Sequence, residues 1–191
     1  FVNKFFYDIA MGDTELITLL YEIIGSCCYR SSDLEMCFIF HGNGGNAKSR
    51  FFDIIQALVG SSCSNLRLND IVNNRFSVSN LQGMTVNISH DEEQMTVTDI
   101  GLLKSLVSGN PIQVDKKYEV KQVQFAPYTT FLIGTNNLID FKDSSDGFRR
   151  KFRIVPFKNK FTGTNRNFRI VRKLCSRPVL EVVAYRAMKC F

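Results

Sequence analysis

The stretch that decides the fold runs from residue 36 to residue 52 and reads MCFIFHGNGGNAKSRFF. Residues 36–41 form a short, continuous apolar run, which is typical of a buried parallel strand. A Gly/Asn-rich loop follows over 42–47, and residues 48–59 read as an apolar helix. A strand, a glycine loop and a helix in this order predict backbone N–H groups that face an anion at the helix N-terminus.

The spacing inside this loop is that of a Walker A motif, with Gly42, four further residues, and then Ala47, Lys48 and Ser49. That chemistry needs a lysine that reaches the β and γ phosphates and a hydroxyl that ligates Mg²⁺. We expect the whole loop to bind the phosphates of a nucleotide, with the choice among ATP, GTP and others left open; the loop consists of Gly42, Asn43, Gly44, Gly45, Asn46, Ala47, Lys48 and Ser49.

Ala47 stands where the motif ordinarily has glycine. If this position requires a positive φ, alanine is strained there by roughly 1 kcal/mol or more. If it already belongs to the first turn of the helix, alanine is harmless. The sequence leaves both conformations open.

Acidic residues follow a second apolar strand, predicted over residues 84–90. Hydrolysis of a nucleoside triphosphate needs one carboxylate near Mg²⁺ and another that orients or deprotonates water. Ligands bind at the carboxyl ends of parallel strands. We therefore expect Asp91 to hold Mg²⁺ together with Ser49 and Glu92 to act as base. This assignment is open by one residue, since Glu93 is a third carboxylate.

Other patterns extend the α/β alternation along the chain. Residues 13–25 predict an amphipathic helix that Asp13 caps and Gly25 ends. A second helix begins at Thr98 or Asp99 and runs to Val107. Further strands are predicted over 63–68, 129–135 and 152–157, a β-hairpin over 112–125, and a terminal helix over 179–191. Strands that alternate with helices indicate a parallel sheet flanked by helices.

Composition excludes two classes of protein. The 191 residues are 45% hydrophobic, too apolar for a disordered chain, and no apolar run approaches the roughly 20 residues of a membrane span. The six cysteines include no CxxC pair, so we expect a reduced, intracellular protein without a zinc site. The chain begins at Phe1 without a signal-peptide pattern, and we expect it to be a domain of a longer polypeptide.

Charge is distributed unevenly. Residues 1–141 carry 10 basic and 15 acidic side chains, whereas residues 142–191 carry 14 basic and 3 acidic ones. A block of one sign often meets a partner of the opposite sign, which suggests nucleic acid or nucleotide phosphate. The hairpin over 112–125 also carries Lys116, Lys117 and Lys121 with Tyr118 among them, and such a tip can grip backbone phosphates.

Taken together, these motifs resemble the superfamily 3 DNA helicases of the primase–helicase type found in poxviruses, phages and other mobile elements. GNGGNAKS resembles the family's Walker A, and VNISHDEE resembles its Walker B strand. LLKSLVSGNPIQVDKKYEV resembles its B′ motif, which implies DNA-binding roles for Lys104, Lys116 and Lys117 and places the motif glycine at Gly109. FLIGTNN resembles motif C, which makes Asn136 the sensor.

The segment DGFRRKFRIVPF resembles the one that supplies an arginine finger in this family. The finger is therefore Arg149 or Arg150, and Lys151 departs from the family pattern. Independently of the family, an amide at Asn136 at the end of a buried strand can hold the attacking water. Exposed arginines can supply charge to a phosphoryl group in a neighbouring subunit.

The resemblance implies an AAA+-like P-loop NTPase core, in which helices flank a central parallel sheet and a β-hairpin is inserted. It also implies Mg²⁺ as cofactor, hexameric rings, and ATP-driven 3′→5′ movement on single-stranded or forked DNA. A primase domain in the same polypeptide and a location in the host cytoplasm or at a viral replication site fit the same family. The expected domains are a helical lead-in over 1–35, the ATPase core over 36–160 and a further segment from 161 to 191.

Two other functions remain open from sequence. One is a nucleotide-gated DNA-binding ring with little hydrolysis, which Ala47 and Lys151 favour. The other is a P-loop phosphotransferase such as a small-molecule kinase, against which the lysine-tipped hairpin argues.

Overall fold

The computed structural model describes residues 1–74, 76–92, 96–97, 100–115, 122–143, 145–162 and 169–191. The helices are α1 Val2–Ile9, α2 Thr14–Cys28, α3 Lys48–Val59, α4 Leu68–Asn73, α5 Gly101–Val107, α6 Asp146–Lys151, α7 Ile170–Leu174 and α8 Arg177–Cys190. The strands are β1 Cys37–His41, β2 Cys63–Ser64, β3 Val86–Glu92, β4 Thr96–Val97, β5 Ile112–Val114, β6 Val123–Phe125, β7 Thr130–Thr135, β8 Asp140–Phe141 and β9 Phe152–Pro156.

Five parallel strands form the central sheet in the order β2-β3-β7-β1-β9. The carboxyl ends of its inner strands coincide, because His41 of β1 pairs with Thr135 of β7, and Thr135 pairs with Glu92 of β3. One edge of the sheet therefore gathers the residues that follow three strands. This edge also carries the loop that joins β1 to α3.

Helices cover both faces of the sheet, and the alternation along β1 shows why. Phe38 and Phe40 belong to a core cluster with side chains of α1, α2, α3 and α8. Cys37 and Ile39 point to the other face and join a cluster with α4, α5 and β5. Because β1 is apolar on both faces, it can lie only inside such a three-layer arrangement. The predicted α/β fold with a central parallel sheet flanked by helices is confirmed.

Most predicted elements occur with small shifts. The helix over 48–59 is confirmed at both ends, and β5 and β6 pair antiparallel as the predicted hairpin. The lysine-bearing hairpin residues 116–121 and the predicted caps Thr98 and Asp99 lie outside the described residues. The prediction of a strand over 63–68 is wrong beyond Ser64, because the chain enters α4 at Leu68.

Gly25 does not end α2, which continues to Cys28. A side chain at Gly25 would approach the Cβ of Phe191 to 2.5 Å and the carbonyl oxygen of Ala187 to 3.0 Å. The glycine therefore lets α8 pack closely against α2. Its role is close approach between two helices rather than termination of one.

The three predicted domains share hydrophobic cores. Leu20 of the lead-in, Phe51 of the central region and Val183 of α8 all belong to one cluster of buried side chains. The boundaries at residues 35 and 160 remain predictions. In the part of the chain that the structure describes, no helix is long and apolar enough to cross a membrane.

Candidate functional site

The loop between β1 and α3, residues 42–47, has a fixed and glycine-dependent path. A Cβ at Gly42 would collide with the side-chain amide of Asn46 and the carbonyl oxygen of Phe157. Ala47 immediately precedes α3 in the left-handed conformation, with φ 70° and ψ 14°. The strained alternative that the sequence left open is thus the one that occurs.

Lys48 opens α3, and its ammonium group lies between the ends of two strands. Its Nζ donates to the carbonyl oxygen of Gly42, to that of Thr135 at 3.0 Å, and to Oδ1 of Asn136 at 2.8 Å. The Lys48 residue is only 3% exposed. Lys48 and Asn136, predicted from motifs almost 90 residues apart, are therefore in direct contact.

The segment after β9 supports the loop from one side. The Asn46 side-chain amide donates to the carbonyl oxygen of Phe157 at 3.3 Å, and the Phe161 N–H donates to that of Gly45 at 2.8 Å. The Phe157 N–H in turn donates to the carbonyl oxygen of His41 at 2.8 Å. These backbone contacts hold the loop in place without using its own N–H groups.

The loop keeps its hydrogen-bond donors available. Within the described part of the chain, the N–H groups of residues 43–47 donate no hydrogen bond to protein atoms. Residues 43–45 are exposed, and a Cβ at Gly44 would meet nothing within 4 Å. Successive free N–H groups at a helix N-terminus form a site for an anion with several oxygens.

The donor set next to this loop suits Mg²⁺ as a second ligand. Ser49, in the first turn of α3, is half-buried, and its hydroxyl makes no hydrogen bond with any described residue. A hydroxyl, a carboxylate and phosphate oxygens are ligands that Mg²⁺ accepts. Of the two predicted carboxylates, the Asp91 side chain lies outside what the structure describes.

Glu92 is buried at the end of β3 and has a partner. Its Oε1 accepts a hydrogen bond from the N–H of Leu68, the first residue of α4, at 2.8 Å. Its backbone oxygen accepts from the hydroxyl of Thr135 at 3.1 Å. Glu92 thus lies one strand away from Lys48, while its carboxylate caps α4.

A β-bulge sets which acid reaches the strand end. Ser89 pairs with Ile133, but the next aligned pair is Glu92 with Thr135, so β3 contains one extra residue. Without the bulge, Asp91 would lie opposite Thr135. The bulge therefore places Glu92, rather than Asp91, beside the end of β7.

Arg149 and Arg150 lie far from this loop in the same chain. They belong to α6, which leads directly into β9, and Phe152 at the start of β9 pairs with Cys37 at the start of β1. The loop over residues 42–47 follows the other end of β1, about 13 Å further along at 3.3 Å per residue. One chain does not bring the two arginines to its own loop.

The remaining predicted nucleic-acid contacts divide into two groups. Lys116 and Lys117 lie outside the described residues. The third candidate carboxylate, Glu93, also lies outside them. The ammonium group of Lys104 pairs with the carboxylate of Asp143 and donates to Oγ of Ser145 at 3.3 Å. Its predicted contact with DNA remains a prediction.

Three residues that contribute to the site were not predicted from the sequence. Thr135 supplies a carbonyl oxygen to Lys48, and Phe157 and Phe161 hold the loop from outside. The contact of Thr135 with Lys48 uses its backbone oxygen, so the residue type at this position did not predict it. Backbone contacts carry no side-chain signature, so the segment 157–161 offered none.

The fold and this loop define an α/β protein with a central parallel sheet and a glycine-rich turn between β1 and the following helix α3. The model of a family described as "Family of unknown function (DUF5906)" matches residues 40–150. Since this match covers more than half of the chain, the protein belongs to that family. No curated protein matches the chain.

Two of the solved structures that are similar to this chain come from the same protein region. The A form apo structure of the NrS-1 C-terminal region is similar with a TM-score of 0.77 and 16% sequence identity. A second apo structure of that region has a TM-score of 0.76 and 15% identity. The matches cover 97% of this chain but only 44% and 45% of those chains, so this chain spans less than half of their length.

Proposed function

We propose that this chain is the ATPase core of a DNA helicase that moves on single-stranded DNA. The row of free N–H groups at residues 43–47, beside the ammonium of Lys48, carries the proposal. Such a row suits a triphosphate better than a neutral ligand, because each donor meets a charged oxygen. The strand order β2-β3-β7-β1-β9 fits the AAA+-like core that the motifs imply.

Each residue at this edge of the sheet has a defined task in the proposed reaction. Lys48 exchanges a carbonyl contact for phosphate oxygens, and Asn136 holds the attacking water or senses the γ-phosphate. Glu92 accepts the proton of that water. Bound Mg²⁺, held by Ser49 and Asp91, would neutralise charge on the phosphates.

Arg149 or Arg150 acts in trans in this proposal. α6 lies at the amino ends of the parallel strands, whereas the loop lies at their carboxyl ends. The arginines of α6 can therefore reach a nucleotide only in a neighbouring copy. A closed ring of identical subunits supplies that neighbour for every site. The proposed assembly is the hexamer that encloses single-stranded DNA.

ATP turnover by the full polypeptide, with and without single-stranded DNA, tests the proposal. We expect DNA-stimulated turnover that falls by about 10²–10³-fold in Lys48→Ala. Glu92→Gln should abolish turnover and retain nucleotide binding. The control is Lys4→Ala, which removes an exposed lysine of α1 that pairs with Asp8. Unwinding of a forked duplex completes the test.

A nucleotide-gated ring with little hydrolysis is the second candidate. The observation that favours it is the hydrogen bond from the Leu68 N–H to Oε1 of Glu92, because that bond already engages the carboxylate of the proposed base at the start of α4. This candidate predicts nucleotide and DNA binding without turnover. A small-molecule kinase instead predicts turnover that is indifferent to DNA.

A further inference from the structure

The residues that lead into α6 are held to α5 by a charged side chain. Lys104 of α5 pairs with the carboxylate of Asp143 and donates to Oγ of Ser145 at 3.3 Å. Ser145 is the N-cap of α6, and its Oγ accepts from the N–H of Phe148. Lys104 therefore contacts the N-cap of α6 and a residue just before it.

A second tie holds the last residue of α6. The ammonium group of Lys151 pairs with the carboxylate of Glu35 and donates to Oγ of Ser108 at 2.7 Å. Ser108 is the C-cap of α5, and Glu35 lies just before β1. Both ends of α6 are thus connected to α5.

Aromatic packing fixes which face of α6 looks outward. The ring of Phe148 stacks on that of Phe152, with centroids 4.3 Å apart and planes at 20°, and lies 5.0 Å from that of Phe141. The next two residues, Arg149 and Arg150, are exposed. Within the described part of the chain, neither guanidinium group has an ion-pair or hydrogen-bond partner. α6 is therefore held at both ends and exposes two positively charged side chains.

The same helix α5 leads into the hairpin. Only residues 108–111 separate its end at Val107 from the start of β5 at Ile112. We propose that Lys104 and Lys151 are positioning residues, which make α5 the mechanical link between the hairpin and the arginines of α6. The proposal rests on the proposed function, in which the arginines meet a neighbour's nucleotide, and on the contact between the hairpin and DNA that the sequence predicts. It gives Lys104 a role other than contact with DNA.

The Lys104–Asp143 pair favours the ionised form of the Asp143 carboxylate. The hydrogen bond from Lys104, with a smaller contribution from Ser145, lowers the pKa of Asp143 to about 2. The side chains of Lys104 and Asp143 are 27% and 24% exposed, so water screens them less than a fully exposed pair.

Neutralising either partner tests the first tie in the full polypeptide. We expect Lys104→Gln and Asp143→Asn each to lower the DNA-stimulated kcat by roughly 10- to 100-fold, as small misplacements of reacting groups do. The KM for ATP and the Kd for single-stranded DNA should stay within about twofold. Lys104→Asp combined with Asp143→Lys should restore most of the rate. The matched control is Lys142→Gln, which breaks the exposed pair with Asp140.

The second tie has its own pair of variants. Lys151→Gln and Glu35→Gln should lower the stimulated kcat in the same way, because each removes one side of the contact at the end of α6. Wild-type stimulation in both variants would overturn the role of Lys151.

Asp143→Asn separates positioning from DNA contact at Lys104. If Lys104 gripped phosphate, Lys104→Gln would weaken DNA binding and reduce its salt dependence, while Asp143→Asn would leave stimulation intact. That result overturns the proposal.

The rate of amide hydrogen exchange over residues 146–151 reports how firmly the two contacts hold α6, and it can be measured without ATP turnover. It should accelerate in Lys104→Gln and Asp143→Asn and recover in the charge-swapped protein. Unchanged exchange overturns the positioning role. If the wild type shows no ATP turnover but the variants show faster exchange, the helicase function is refuted. The positioning of α6 by these contacts is then still supported.

Discussion

A single backbone conformation at Ala47 illustrates how much depends on individual residues. Left-handed φ and ψ are costly for any residue with a Cβ, and the loop adopts them at an alanine. This strained residue is the N-cap of α3, which begins at Lys48. The sequence posed this alternative, and only the backbone geometry could resolve it.

We predict that Ala47→Gly stabilises the protein by roughly 0.5–1 kcal/mol, because glycine adopts a positive φ without steric cost. Urea unfolding measures the change. Gly44→Ala is the companion variant, since its Cβ would meet nothing within 4 Å, and it should change stability little. A lower stability of Ala47→Gly would show that Ala47 is unstrained.

The depressed pKa of Asp143 predicts a pH dependence with a definite sign. Its pKa is about 2 in the folded protein against an ordinary value of 3.8. The pair therefore stabilises the fold fully above about pH 4, and this contribution declines as the pH falls towards 2.

Wild type and Asp143→Asn should differ most in unfolding free energy at pH 5–7 and converge as the pH drops below 4. Chemical denaturation at several pH values between 2.5 and 7 measures the difference. A constant difference over this range would contradict a shifted pKa.

At the scale of elements, strands and long helices could be read from the sequence, while their ends and irregularities could not. Continuous apolar runs predicted β1 and β7, because both faces of these strands are buried. The bulge in β3 has no such pattern, so counting residues from Ser89 could not decide between Asp91 and Glu92. Gly25 was misread because a glycine within a helix and one after it look alike in sequence.

Gly109 makes the turn between α5 and β5, and we predict that Gly109→Ala destabilises the protein by roughly 2–4 kcal/mol. Its φ is +67°, and an added Cβ would collide with the Ser32 side chain and come within 3.1 Å of the carbonyl oxygen of Pro127. Thermal or urea unfolding reports the loss.

Gly83→Ala separates the two causes of that loss. Gly83 also has a positive φ, +80°, but nothing lies within 4 Å of its added Cβ. This variant should cost only about 1 kcal/mol, the backbone strain alone. Equal losses at Gly83 and Gly109 would show that crowding against Ser32 contributes nothing.

At the scale of the whole molecule, the terminal helix α8 belongs to the same hydrophobic core as the sheet. Val183 and Ala187 are buried against side chains of α2 and α3. Sequence patterns predicted the helix but not its partner, because an apolar face does not say which surface covers it. The site could be predicted in part for the same reason: motifs name residues, and packing decides which of them meet.

Val183→Ala should therefore lower the stability of the entire chain by about 2 kcal/mol. Its neighbour Val182 is 40% exposed, and Val182→Ala should stay within about 0.5 kcal/mol of wild type. Circular dichroism and aromatic fluorescence should report one coincident unfolding transition for both variants. A separate early transition would mean that α8 unfolds independently.

The two outermost strands of the sheet limit how copies of the protein can associate. β2 has only two residues, and β9 carries exposed Arg153 and ends at Pro156, which lacks an amide proton. Short length, charge and proline all discourage another chain from continuing a sheet through its main chain. Any neighbour on either flank must therefore be recognised by side chains. Such a contact can open and re-form without breaking main-chain hydrogen bonds between strands of the two copies.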